Sequence, residues 1–322
     1  MIRRYTASAD TTIVNAYQRN LRIRGTGSNA GRADVLETFS IYGRQAPSSS
    51  NSTASQELSR ILIQFPISEI SSDRDAGTVP TSGNVDFFLR MYNAPHSRTT
   101  PISYKLVVYP VSQSWQEGVG LDLEGYTDLT KGASGTNWMS ASDSAAWTTV
   151  GGDYIKNDAS IIYEQTFDSG LEDVELNISK LVEQWISGDT NNYGVGVFLS
   201  SSFEAYYSSS TGQNTGSIIH NATGAQVSYY TKRFFARGTQ YFFKKPVIEA
   251  RWDDAVRDDR GEFYFSSSLA PADDNLNTLY IYNFIRGQLV NIPSVGTGKI
   301  LVSLYSGSAT NSGPSGSKLT LY

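Results

Sequence analysis

Apolar positions along this chain alternate with polar ones more clearly than they repeat at helical spacing. In SRILIQFPI (59–67), Ile61, Ile63 and Phe65 fall on one face and Pro66 stops the run. VDFFLRMYNA (85–94) and ISYKLVVYPV (102–111) read as long strands rich in Tyr, Phe and Val, separated by the proline-bracketed loop PHSRTTP (95–101). VELNI and NNYGVGVFLS (191–200) continue the pattern, and the glycines of the latter imply close packing under a bulky group, for which Trp185 is the expected partner. VSYYTKRFFARGTQYFFKKPVIEARW (227–252) adds aromatic strands divided by basic residues. Helical spacing is credible once. In SKLVEQWISG, Ser179 can cap a short helix, Leu181, Val182 and Trp185 share a face, and Gly188 ends it.

The two ends have a different texture. Residues 1–58 hold the short strand patterns TTIVNAY (11–17), NLRIRG (20–25) and VLETFSIYG (35–43), then the Ser-rich stretch RQAPSSSNSTASQ (44–56), a loop or linker. This region is expected to act as a loose arm. Its GTGSNAG (25–31) has the wrong glycine spacing for dinucleotide binding and no helical pattern after it, so it reads as a mobile loop. After the charged crossover DDAVRDDRG (253–261), strand patterns resume in EFYFSS, TLYIYNFIRGQLVNI (278–292) and KILVSLYSG. The expected organisation is therefore an arm over 1–58, a β-sandwich core over 59–250 that recruits strands from 10–43, and a second small β-domain over 251–322. That domain ends in KLTLY as though in mid-sandwich, so it is expected to be incomplete.

Composition sharpens this picture. A chain of 322 residues exceeds the size at which single cores stop growing, and 20 Tyr and 14 Phe supply a large core. The absence of cysteine removes thiol chemistry and points to assembly in a reducing cytoplasm. Two histidines, His96 and His220, leave little scope for a histidine metal centre. The net charge of −5 gives no general reason to expect nucleic acid. MIRRYTASADTTIV lacks the apolar stretch of a signal peptide, and no apolar run is long enough for membrane insertion.

Candidate chemistry concentrates in SQSWQEGVGLDLEGYTD (112–128) and its surroundings. Glu117, Asp122, Glu124 and Asp128 are acids close in sequence, but glycoside hydrolysis needs two carboxylates held across a cleft, and nothing here announces that. A structural calcium ion, the only cofactor these acids suggest, would take Asp122, Asp128 and Asp153. A host glycan would use Trp138, Tyr126 and Trp147 as stacking platforms, while Trp115 reads as a corner anchor. In KRFFARGTQYFFKK (232–245), Arg233, Phe234, Phe235, Arg237, Tyr241 and Phe242 suit a protein–protein interface. A strand with one solvated face fits the same alternation, and a nucleic-acid contact is the third reading.

The order of these segments is itself informative. SRILIQF, VDFFLRMY, LVVYPVSQSWQEG, GTNW, a W-x-x-x-G-G-D (147–153), ELNISKLVEQWISG and NNYGVGVFL follow one another over residues 10–250 in a way that resembles the DNRLRE-type β-sandwich domain, a jelly-roll relative of carbohydrate-binding modules. Residues 232–293 are similar to virion structural proteins of marine myoviruses, including cyanophages. The resemblance implies an all-β fold, a jelly-roll-like antiparallel sandwich with one short helix. It also implies a non-enzymatic phage virion component of tail, baseplate, neck or fibre attachment, whose partners are other virion proteins and copies of itself. Host-glycan recognition and capsid decoration are the alternatives.

Overall fold

The computed structural model describes residues 1–17, 24–41, 56–96, 100–121, 135–207, 218–254 and 281–290, with single positions 271, 292, 303, 305, 317 and 318. The chain divides into two compact units, Met1–Asp253 and Asp254–Tyr322.

The first unit is an antiparallel β-sandwich. In chain order its strands are β1 (Ile2–Thr6), β2 (Ala9–Val14), β3 (Val35–Ile41), β4 (Glu57–Gln64), β5 (Asp86–Met91), β6 (Tyr104–Pro110), the short pair β7 (Ser140–Ser142) and β8 (Ala145–Ala146), β9 (Tyr163–Phe167), β10 (Val174–Asn177), β11 (Val195–Leu199), β12 (Tyr229–Phe235) and β13 (Val247–Arg251). One sheet runs β1-β13-β5-β10, and the other runs β12-β3-β4-β11-β6-β9 with β2 also paired to β4. Three antiparallel pairs are nested, β6 with β9, β5 with β10 and β4 with β11. The middle pair lies in the smaller sheet and the other two in the larger one. A long two-stranded ribbon has therefore been folded over between layers, which is the connectivity of a jelly roll. Pairing of β6 with β11 closes the roll.

Strand alternation fills the interior. Ile61 and Ile63 of β4, Phe87, Leu89 and Met91 of β5, Tyr104, Leu106 and Val108 of β6, and Phe234 of β12 all enter one buried cluster. Each such side chain contributes roughly 1.5–3 kcal/mol. The strands of the N-terminal region are part of this frame. Tyr5, Ile13, Val14, Leu36 and Phe39 are buried, and β1, β2 and β3 pair with β13, β4 and β12. The described part of residues 1–58 is thus woven into the sheets and does not extend as an arm. GTGSNAG is likewise packed, since its Asn29 is buried and pinned by hydrogen bonds.

Two α-helices lie among the described residues of the unit. The expected one, α2 (Ser179–Ser187), follows α1 (Ile67–Asp75) in the chain. Leu181, Val182 and Trp185 are buried beneath α2, and Gly188 ends it at φ 82°. Its cap differs from expectation: Asn177 Oδ1 accepts from the Ser179 amide, while the Ser179 hydroxyl accepts from the Phe87 amide of β5. Helix α1 buries only Ile67 and Ile70, and a two-pronged ion pair, Arg74 to Glu183, clamps it to α2 with both contacts at 2.7 Å.

In the second unit the described strands form one hairpin, β14 (Asn283–Ile285) and β15 (Gln288–Val290). Arg286 and Gly287, both at positive φ, make the turn, so NFIRGQLV is two short strands and not one.

Candidate interaction surface

The larger sheet carries a second core on its outer face. Leu58 and Leu62, which alternate with the inward Ile61 and Ile63, pack with Ile13, Val111, Trp138, Trp147, Val150 and Ile219. The chain between β6 and β9 supplies Val111, both tryptophans and Val150, and so covers the sheet. Trp138 is fully buried, and Trp147 is buried with its indole N–H donated to the Asn137 carbonyl at 2.9 Å. Neither ring presents a face to a sugar, which corrects the expectation that they form stacking platforms. Trp115 anchors the corner through Nε1 to the Tyr193 carbonyl at 2.8 Å. Beneath this cover Arg60 of β4 is buried against Phe198, 4.3 Å from its ring, and is paired with buried Glu204.

Asp153 is a turn staple. Its two oxygens accept from the amides of Thr148 and Thr149, each at 2.8 Å, so both are committed within the loop. It borders an open polar depression of about 410 Å³ together with Ser112, Gln113, Tyr154 and Lys156. Tyr126, Asp122, Glu124 and Asp128 lie outside the described residues. Among the described residues no group of three His, Asp or Glu side chains is placed to hold a metal ion.

Glu117 is part of a structural node. Its carboxylate takes a two-pronged contact from Arg237 Nη2, both at 2.7 Å, and also accepts from the Asp10 amide at 2.8 Å. Asp10 in turn accepts from the Arg237 amide. Burial pushes the Asp10 carboxyl up to about 7, and nearby Glu117 adds to the rise. Asn29 closes the node by donating to the carbonyls of Glu117 and Thr136 and accepting from Gly120 N. His96 follows β5, where burial and the cations Lys232 and Arg233 hold its imidazole below its usual range.

The basic–aromatic segment sorts by strand parity. On β12, Tyr230, Lys232 and Phe234 turn inward, whereas Arg233 turns outward and pairs with Glu37 at 3.1 Å. Phe235 is also buried, stacked edge-on against Tyr241 with ring centres 5.3 Å apart. Phe234 and Phe235 therefore belong to the fold and are withdrawn from the expected interface. Arg233 and Arg237 are spent on ion pairs within the chain.

The exposed aromatic residues of the segment form a short turn. Tyr241 is 53%, Phe242 68% and Phe243 76% accessible, with Lys244 and Lys245 following them. The turn is held by Lys244 N to the Tyr241 carbonyl at 2.9 Å and by Lys244 Nζ over the Phe235 ring at 5.1 Å. Phe243, the most exposed of the three, was not among the residues singled out from sequence; the adjacent Phe-Phe before Lys-Lys-Pro was its signal. Comparison with protein-family models and with curated protein sequences finds no match for this chain.

Proposed function

We propose that this chain is a non-enzymatic virion structural protein, built in the host cytoplasm and acting through contacts with copies of itself and with neighbouring virion proteins. The observation that carries the reading is the aromatic turn at Tyr241, Phe242 and Phe243, which exposes three rings on a well-tied frame. Aromatic side chains in water are costly to a lone soluble domain and are enriched where proteins meet. Because the turn is anchored to the core through Phe235 and Lys244, little conformational freedom is lost when a partner covers it. Many copies in a particle make each modest contact effective. The collinear resemblance over residues 10–250 and 232–293 supports the same assignment.

Sedimentation velocity on the full chain tests it. Wild-type protein is expected to self-associate, and Phe242→Asp with Phe243→Asp is expected to sediment as a folded monomer. A wild-type chain that stays monomeric and never joins particles counts against the proposal.

A further inference from the structure

Lys232 is an unusual residue in the sandwich. It is fully buried, and its ammonium nitrogen lies 2.6 Å from Asn93 Oδ1 and 3.0 Å from the Gly170 carbonyl. Phe167 and Phe234 flank it, each ring centre 5.1 Å away. Asn93 follows β5 in one sheet, whereas Lys232 lies on β12 of the other. The loop before β10 brings two carboxylates to the same place. Asp173 Oδ1 accepts from the Asn93 backbone N–H at 2.7 Å, and Glu172 accepts from the Ser169 amide at 2.6 Å through Oε1 while its Oε2 is buried without a partner. The charges of both carboxylates act on Lys232.

We propose that Lys232 and Asn93 form an intramolecular isopeptide bond. The geometry meets the requirements of the step. With Nζ 2.6 Å from the amide oxygen, the amide carbon, one bond of about 1.2 Å further, is at most about 3.8 Å away. That is near the separation at which bound groups react. The nucleophile must be the neutral amine. Burial pulls Lys232 down to about 8, against the opposing pull of Glu172 and Asp173. Burial, with the charges of Lys232 and Arg233, holds the neighbouring His96 imidazole below its usual range, and Arg90 approaches Asp173 at 3.9 Å.

The chemistry balances without any further reagent. The Lys232 ammonium releases a proton to solvent, and the free amine attacks Cγ of Asn93 to form a tetrahedral adduct. The adduct's nitrogen passes its second proton to the Asn93 amino group, and the C–N bond to that group breaks. One ammonia leaves and one secondary amide remains, with no change in oxidation state. The product is a covalent tie between the two sheets across 139 residues of chain.

Mass spectrometry of the purified full-length chain, denatured, reads the result directly. The expected mass is that of the sequence less one ammonia, with a branched tryptic peptide joining the Asn93 and Lys232 segments. Lys232→Arg and Asn93→Ala are expected to keep the full sequence mass. The wild-type mass alone decides the question if a variant fails to fold. The full sequence mass after prolonged incubation at pH 8 overturns the proposal. So does an ammonia deficit that persists in Lys232→Arg or Asn93→Ala, or one without the branched peptide.

Discussion

Arg60 and Glu204 sit between the outer face of the larger sheet and the chain that covers it, so they test how firmly that cover is held. Both side chains are almost fully buried, at 5% and 7% accessibility. The guanidinium donates to Glu204 at 3.1, 3.1 and 3.0 Å and to the Gly151 carbonyl at 3.2 Å. Glu204→Ala removes the carboxylate bonded to this buried cation. Uncompensated, such a charge costs about 3–5 kcal/mol. At a urea slope of about 3 kcal/mol per molar, the unfolding midpoint falls by roughly 1–2 M. Arg60→Met combined with Glu204→Leu removes both charges at similar volume, and its stability should return to within about 1–2 kcal/mol of wild type. Tryptophan fluorescence follows the transition, because Trp138 and Trp147 lie in the same layer. A single variant that loses less than about 1 kcal/mol, or a double variant no more stable than the single, would refute this description of the layer.

Two further outcomes follow from close packing and charge burial. A methyl group on Gly196 would lie 2.2 Å from the Tyr154 ring, whereas on Gly194 it would lie 2.0 Å from the Ile63 carbonyl and face a φ of +79°. Gly196→Ala should therefore cost about 1–3 kcal/mol, and Gly194→Ala more, because backbone yields less than a ring; equal midpoints in urea would contradict this. Asp10 titrates higher in the fold than its usual 3.8, so the native state holds more protons than the unfolded chain from about pH 4 to 7. Its contribution to stability falls as pH rises through that window and then levels off. Asp10→Asn, whose amide oxygen can still accept from Arg237 N, should gain on wild type by on the order of a few kcal/mol between pH 4 and 8; parallel pH profiles for the two proteins would count against it.

Strand periodicity made much of the fold legible. Ile61, Ile63 and Phe65 were visible as one face, and Leu181, Val182 and Trp185 marked α2. Other features depend on partners far away in the chain. Helix α1 carries too few apolar residues to announce itself, and part of its support comes from Glu183, 109 residues beyond Arg74. Trp138 and Trp147 sit in a Gly- and Ser-rich stretch that reads as exposed, because the sheet face they cover belongs to β4. The partner of Gly196 proved to be Tyr154 and not Trp185, since β11 turns that position toward the covering chain. Lys232 shows the same limit. A basic residue among aromatics suggests a wet strand face, yet parity sends it inward with Phe234. Of the expected interface, Tyr241 and Phe242 are exposed and Phe243 joins them, while Arg233 and Arg237 are half-buried in ion pairs.

The role assigned to the aromatic turn is most directly tested by a high-resolution image of the assembled particle in which this chain is traced. Tyr241, Phe242 and Phe243 should be covered by a neighbouring subunit at a repeated position. Finding the chain absent from the particle, or finding the three rings bare to solvent in every copy, would contradict the account.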